Sequence, residues 1–119
     1  MKFAALGFLL AVTVTWSSAP ANACSCAKGT RARAIASADI VFQGRVVDVR
    51  REGQALFATI SVLRPIKSDM RTTVEVGTRA STAACGYAFR RGQILIVGAS
   101  FRQRQYRTNN CLMYYLIRK

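Results

Sequence analysis

The stretch DIVFQGRVVDV, residues 39–49, is rich in β-branched and aromatic side chains. That composition is typical of a β-strand. Gly44 stands in the middle of the stretch. A glycine inside a strand often marks a bulge or a tight bend, as at the corner of a barrel. The stretch therefore predicts a strand with a bulge or a sharp bend near its centre.

Turns divide the rest of the chain into further short segments. Residues 55–67 and 72–78 alternate between polar and apolar side chains, and residues 94–100 are continuously apolar, as in a buried strand. Residues 101–110 are polar and turn-like, whereas residues 111–119 fit either a strand or a short packed helix.

A short helix is predicted before the first strand, at residues 28–39, because its apolar residues fall on one face. Four or five short strands separated by turns, with one helix near the start, indicate a mainly β domain. We expect a five-stranded β-barrel of the oligonucleotide-binding (OB) type with one or two short helices. A β-sandwich is the alternative on pattern alone.

Residues 1–23 have the features of a secretory signal peptide: a positive start, an apolar run, and small residues that end at Ala23. The apolar run is shorter than the about 20 residues of a transmembrane helix, so no membrane span is expected. We expect cleavage after Ala23, a domain at residues 24–119 that begins with Cys24, and a secreted, extracellular or periplasmic location. Lipoprotein processing would also leave Cys24 first, but Asn22 fits its pattern poorly.

The composition excludes several kinds of function. The chain carries 18 Lys and Arg against 5 Asp and Glu, a net charge of +13, and it contains no histidine. The commonest metal ligand and general base is therefore missing, and we expect no enzyme, no cofactor and no resident metal. The basic surface is expected to adsorb to acidic polymers without specificity. No aromatic–basic motif indicates a specific nucleic-acid partner.

Four cysteines in a small exported domain argue for two disulfides. Cys24 and Cys26 are too close in sequence to pair without strain, because a disulfide requires a specific approach of two backbones. Each is expected to pair with Cys85 or Cys111, and the residues alone leave both arrangements open. A zinc site is less typical of this spacing, since structural zinc sites usually contain Cys-x2–4-Cys pairs.

Several segments taken together resemble a known family. CSC opens the expected mature chain, ADIVFQGRVVDV follows a short helix, and ACGYAFRRGQILIVGAS precedes the late Cys111. In this order they resemble the netrin-like domains, and most closely the N-terminal domain of the tissue inhibitors of metalloproteinases (TIMPs). The resemblance covers nearly all of residues 24–119. It implies an OB-type barrel and the disulfides Cys24–Cys85 and Cys26–Cys111.

The resemblance also implies inhibition of a zinc metalloendopeptidase. In the family, the leading cysteine binds the catalytic zinc of the protease through its α-amine and its carbonyl oxygen, and the next residue enters the main specificity pocket. These roles would fall to Cys24 and Ser25. Further contacts are implied for Cys26 and Ala27 along the protease cleft and for Ala83, Ala84 and Gly86 at its rim.

Elementary chemistry is consistent with this mechanism. A catalytic zinc keeps an open position for water, where an amine nitrogen and a carbonyl oxygen of one residue can close a five-membered chelate ring. An α-amine titrates at about 7.7–8.0, so its lone pair is available near neutral pH. A preceding residue would block the chelate, which makes cleavage after Ala23 a condition of activity. The alternative is a non-inhibitory basic module that binds acidic polymers or a partner protein.

Overall fold

The computed structural model describes residues 24–117, together with Gly7 and Ala11. Apart from these two residues, the predicted signal peptide lies outside the described residues. The elements in chain order are helix α1 (Arg31–Ser37), strands β1 (Ile40–Glu52), β2 (Ala55–Lys67), β3 (Thr73–Arg79), β4 (Ile94–Arg102) and β5 (Gln105–Arg107), and helix α2 (Asn110–Ile117). None of the helices in this part of the chain has the length and hydropathy needed to cross a membrane.

The five strands form a closed barrel in the order β1-β2-β3-β5-β4, with β4 pairing back onto β1. Neighbouring strands are antiparallel except β3 and β5, which run parallel. This is the five-stranded OB-type barrel that the sequence predicts, and it excludes the sandwich. Its interior is filled by apolar side chains of β1 to β4, together with Phe89 and Met113.

Gly44 lies at an irregularity of β1. This strand pairs with β2 over almost its whole length and with β4 over its first half, and its register with β2 shifts between Gln43 and Gly44. An ideal Cβ atom at Gly44 would lie 2.5 Å from Cγ2 of Ile60 and 2.8 Å from Cε2 of Phe42. Only glycine leaves room for these core side chains. The register shift beside Gly44 confirms the irregularity that the sequence predicts.

The two helices contact each other and β4 on the outside of the barrel. Their contact contains a second buried cluster, formed by Ala34, Ala38, Val41 and Leu116. Thr30 begins α1 by accepting a hydrogen bond from the backbone of its first turn at 3.2 Å, so the helix is shorter than the predicted 28–39. At the other end, Nζ of Lys67 donates to the carbonyl oxygens of Ile35 and Ala36 at 2.9 and 3.0 Å, which satisfies groups that a helix terminus leaves unpaired.

One prediction for the C-terminal third was wrong. Residues 101–110, predicted as a turn, contain the end of β4 and all of β5, whose three residues complete the barrel. The turn between these strands has positive φ angles at Gln103 and Arg104, 52° and 63°, where glycine or asparagine is usual. The local sequence therefore carries no hairpin signal. Residues 111–119, left open between strand and helix, contribute most of α2.

Candidate functional site

Two disulfides hold the segment that begins at Cys24. Cys24 is bonded to Cys85 and Cys26 to Cys111, with Cα–Cα distances of 5.1 and 5.3 Å. This is the pairing that the family resemblance implies, and the crossed arrangement is excluded. The Sγ atoms of Cys24 and Cys111 are 3.8 Å apart, so the two disulfides pack against each other. No cysteine of the described chain is free, which fits an oxidising compartment.

In addition to the disulfides, contacts with α2 hold residues 24–30 in place. The hydroxyl of Tyr115 donates a hydrogen bond to the carbonyl oxygen of Ala27. Gly29 lies against the Tyr115 ring, where an ideal Cβ atom would be 3.1 Å from Cε2. The helix is capped by Asn109, whose side-chain oxygen accepts a hydrogen bond from the backbone of the first turn at 2.8 Å. The segment is thus fixed to a capped helix.

The loop around Cys85 supplies the other half of this region. A 3₁₀ turn at Thr82–Ala84 leads into Cys85, which has a left-handed backbone with φ of 67°. The backbone N–H of Asn110 donates to the carbonyl oxygen of Cys85 at 2.7 Å, and that of Gly86 donates to Ser81 at 3.0 Å. The loop is therefore tied to α2 and closed on itself, so that the partner of Cys24 has a fixed position.

Residues 24–27 and 82–86 form one surface region, which we call the N-terminal edge. Of the contact residues predicted for it, Ser25, Ala27 and Ala84 are exposed, Cys24, Cys26 and Ala83 are partly buried, and Gly86 is buried. The Cys24–Cys85 bond brings the two segments together. All of these residues except Gly86 have surface available for a partner.

Gly86 lets the loop close onto the end of β3. An ideal Cβ atom at this position would lie 1.8 Å from the carbonyl oxygen of Arg79 and 2.9 Å from that of Ser81. Both are backbone atoms, which cannot rotate away as a side chain can. The family resemblance implies a rim contact at Gly86. In the structure this residue is buried, and its lack of a side chain allows the edge to form.

The substitution Gly86→Ala is expected to lower the free energy of unfolding by about 3 kcal/mol or more, because the added methyl group would overlap the Arg79 carbonyl. Urea unfolding followed by circular dichroism measures the change. Gly77→Ala is the matched control, since its Cβ would come no closer than 3.2 Å to another residue, at the Phe57 ring. The control should cost less than about 1 kcal/mol, and equal effects would contradict the close approach at Gly86.

Most of the few carboxylate groups of the chain form hydrogen bonds or ion pairs within the protein. Those with hydrogen bonds or ion pairs are Asp39, Asp48, Glu52 and Glu75. Arg50 donates to Glu75 at 3.1 Å and to Glu52 at 2.8 Å, and these hydrogen bonds raise the pKa of its guanidinium group. Because 5 acidic residues cannot balance 18 basic ones, the surface keeps a large positive excess. Adsorption to acidic polymers stays a prediction.

Neither a protein-family model nor a curated protein sequence matches this chain. A functional assignment therefore starts from its own residues and from the geometry of the N-terminal edge.

Proposed function

We propose that this protein is an exported, TIMP-like inhibitor of a zinc metalloendopeptidase and that it acts through Cys24. One observation carries the proposal. The first residue of the expected mature chain is held by its disulfide to Cys85, while its neighbour Ser25 is exposed. Cleavage after Ala23 would turn the nitrogen of Cys24 into a free α-amine at this fixed position.

The chelate would place two neutral ligand atoms of Cys24 on one metal ion. The amine nitrogen and the carbonyl oxygen would displace the water that the protease activates for hydrolysis. The inhibitor needs no general acid or base for this, which suits a chain without histidine. We therefore propose an inhibitor rather than an enzyme, with no cofactor of its own.

The anchoring of the N-terminal edge supports tight binding. Ordering a flexible terminus on binding costs free energy, and an edge that is already ordered avoids this cost. Here two disulfides and the hydrogen bond from Tyr115 to Ala27 hold the segment. Ser25 would enter the main specificity pocket of the protease. Further contacts are proposed for Cys26, Ala27, Ala83 and Ala84.

The test uses protein that begins at Cys24, as verified by N-terminal sequencing, and the catalytic domain of a metzincin protease. We expect inhibition that is competitive with a peptide substrate and mutually exclusive with a small hydroxamate, which occupies the same open zinc position. Reduced and alkylated protein is the control, because its terminus is no longer fixed. Absence of inhibition by the native protein, or inhibition additive with the hydroxamate, would argue against zinc chelation.

A further inference from the structure

A groove opens beside the N-terminal edge. It has a volume of about 540 Å³ and is lined by the β1–β2 turn, the end of β3, β5 and the edge itself, through Ala84 and Cys85. Two backbone hydrogen bonds fix its walls. Ala80 donates to Gln54 at 2.9 Å, and Asn110 donates to Cys85 at 2.7 Å. The groove and the edge are therefore parts of one rigid surface.

Gly77 keeps the groove open. It pairs with Phe57 of β2 and with Arg107 of β5. An ideal Cβ atom at Gly77 would lie 3.2 Å from Cε1 of Phe57 and 3.4 Å from Cδ of Gln105. Because glycine has no side chain, the space between these neighbours stays free for another molecule.

Two arginines border this space. Arg107 is the β5 partner of Gly77, and Arg79 lies two residues further along β3, so both lie on the same face of the sheet as Gly77. Both are exposed, and within residues 24–117 neither has an ion-pair partner. The acidic residue of the wall, Glu52, is already bound by Arg50 at 2.8 Å. The groove thus offers two guanidinium groups to an anion.

The wall of the groove also contains a buried hydroxyl group that lacks a partner. Thr108 lines the groove and is 7% exposed, and its Oγ1 atom has no hydrogen-bond partner among the residues that the structure describes. Buried hydroxyl groups nearly always have one. Because this oxygen atom is itself shielded from solvent, it belongs to the wall behind the groove and is not a contact for a ligand.

We propose that the groove binds a carboxylate, supplied by an Asp or Glu side chain of the protease that the N-terminal edge inhibits. The inference rests on the proposed function, because the shared wall at Ala84 and Cys85 would bring the protease surface over the groove. Guanidinium groups bind carboxylates through paired, charge-assisted hydrogen bonds. Charges at the rim of an interface mainly raise the association rate and select between partners. Arg79 and Arg107 are therefore specificity-determining residues that favour proteases with an acidic cleft rim.

The test compares two charge-matched double variants. Arg79→Gln with Arg107→Gln removes both groove charges. Arg64→Gln with Arg71→Gln removes two exposed arginines near the end of β2 and the start of β3. The groove lies at the other end of these two strands, so this variant leaves it unchanged.

The assay uses a metzincin catalytic domain with acidic residues at its cleft rim. We expect the groove variant to raise the inhibition constant about tenfold, mainly through slower association, and to reduce its dependence on salt. The control variant should stay within about twofold of the native protein. Unchanged inhibition by the groove variant overturns the proposal.

A second measurement separates this proposal from the proposed function. Protein with one extra alanine before Cys24 cannot chelate zinc, yet its groove is intact. NMR titration of this protein with acetyl-Glu-Glu-Glu-amide should shift the amide signals of Gly77 and Arg107, and the shifts should disappear in the groove variant. Absence of these shifts overturns the groove site even where inhibition is found. Shifts in the extended protein, together with no inhibition by the protein that begins at Cys24, support the carboxylate site while refuting the proposed function.

Free glutarate distinguishes the source of the carboxylate. If glutarate at the same carboxylate concentration produced equal shifts, the site would belong to small free carboxylates, and the protease contact would be overturned. Weaker shifts with glutarate than with the peptide support a contact made by a protein side chain.

Discussion

An alanine added in front of Cys24 is expected to weaken inhibition of a metzincin protease about a hundredfold or more, equal to about 2.7 kcal/mol of binding free energy. The added residue converts the α-amine into a peptide nitrogen, whose lone pair is delocalised into the carbonyl group and does not bind zinc. It also puts additional atoms where the metal would lie. Inhibition constants of the two proteins, measured against the same titrated protease, check this expectation.

A removable extension gives the matched control. If the extension contains a processing site that is cleaved directly before Cys24, its removal regenerates the amine and should restore inhibition. Inhibition by the trimmed protein should also strengthen as the pH rises from about 6 to about 8, because α-amines titrate at about 7.7–8.0 and only the neutral form binds zinc. Equal potency of extended and trimmed protein would refute Cys24 as the zinc ligand.

Replacing Cys26 and Cys111 by alanine is expected to lower the melting temperature by about 20 °C or more. This disulfide joins residues 85 positions apart. Closing such a loop in the unfolded chain is worth about 4–5 kcal/mol in the chain-entropy model, out of about 5–15 kcal/mol for a typical domain. A small domain loses about 4–8 °C for each kcal/mol. Thermal unfolding followed by circular dichroism measures the change.

The other disulfide provides a comparison that separates stability from function. Cys24→Ala with Cys85→Ala removes a closure of 61 positions, so the loss of stability should be nearly as large. The variant without Cys26–Cys111 keeps Cys24 tied and should retain measurable inhibition below its melting temperature. The variant without Cys24–Cys85 should lose most of it. A melting temperature within about 5 °C of the native value after loss of Cys26–Cys111 would contradict the stabilising role of that bond.

Local signals in the sequence predict much of the barrel but not its last strand. Residues 39–49 carry the composition of a strand, which is a local property, and a glycine inside such a stretch marks an irregularity even though the packing against Ile60 of β2 is not visible in the sequence. β5 has only three residues, and it is a strand because it pairs with β3 and β4 rather than because of its own composition.

The candidate site is predictable to a smaller extent. The cysteines alone leave two pairings open, because sequence spacing carries no distances, and only the family resemblance chooses between them. The buried position of Gly86 depends on its approach to the Arg79 carbonyl, which no local pattern reports. The groove also escapes sequence analysis, because Arg79 and Arg107 come from two strands and one of these has no strand signal.

The two disulfides also set an order of events for an exported chain. Such a chain crosses the membrane from its N-terminus, so Cys24 and Cys26 are exported before Cys85 and Cys111. The two early cysteines cannot pair easily with each other, so they remain unpaired until their partners have crossed. The first bond needs β1 to β3 on the far side, and the second needs α2. The end that we propose to bind zinc would thus mature late, and an unfinished chain would leave it without its disulfides. A host cell would then obtain the fully anchored form of the proposed inhibitor only from a fully translocated molecule.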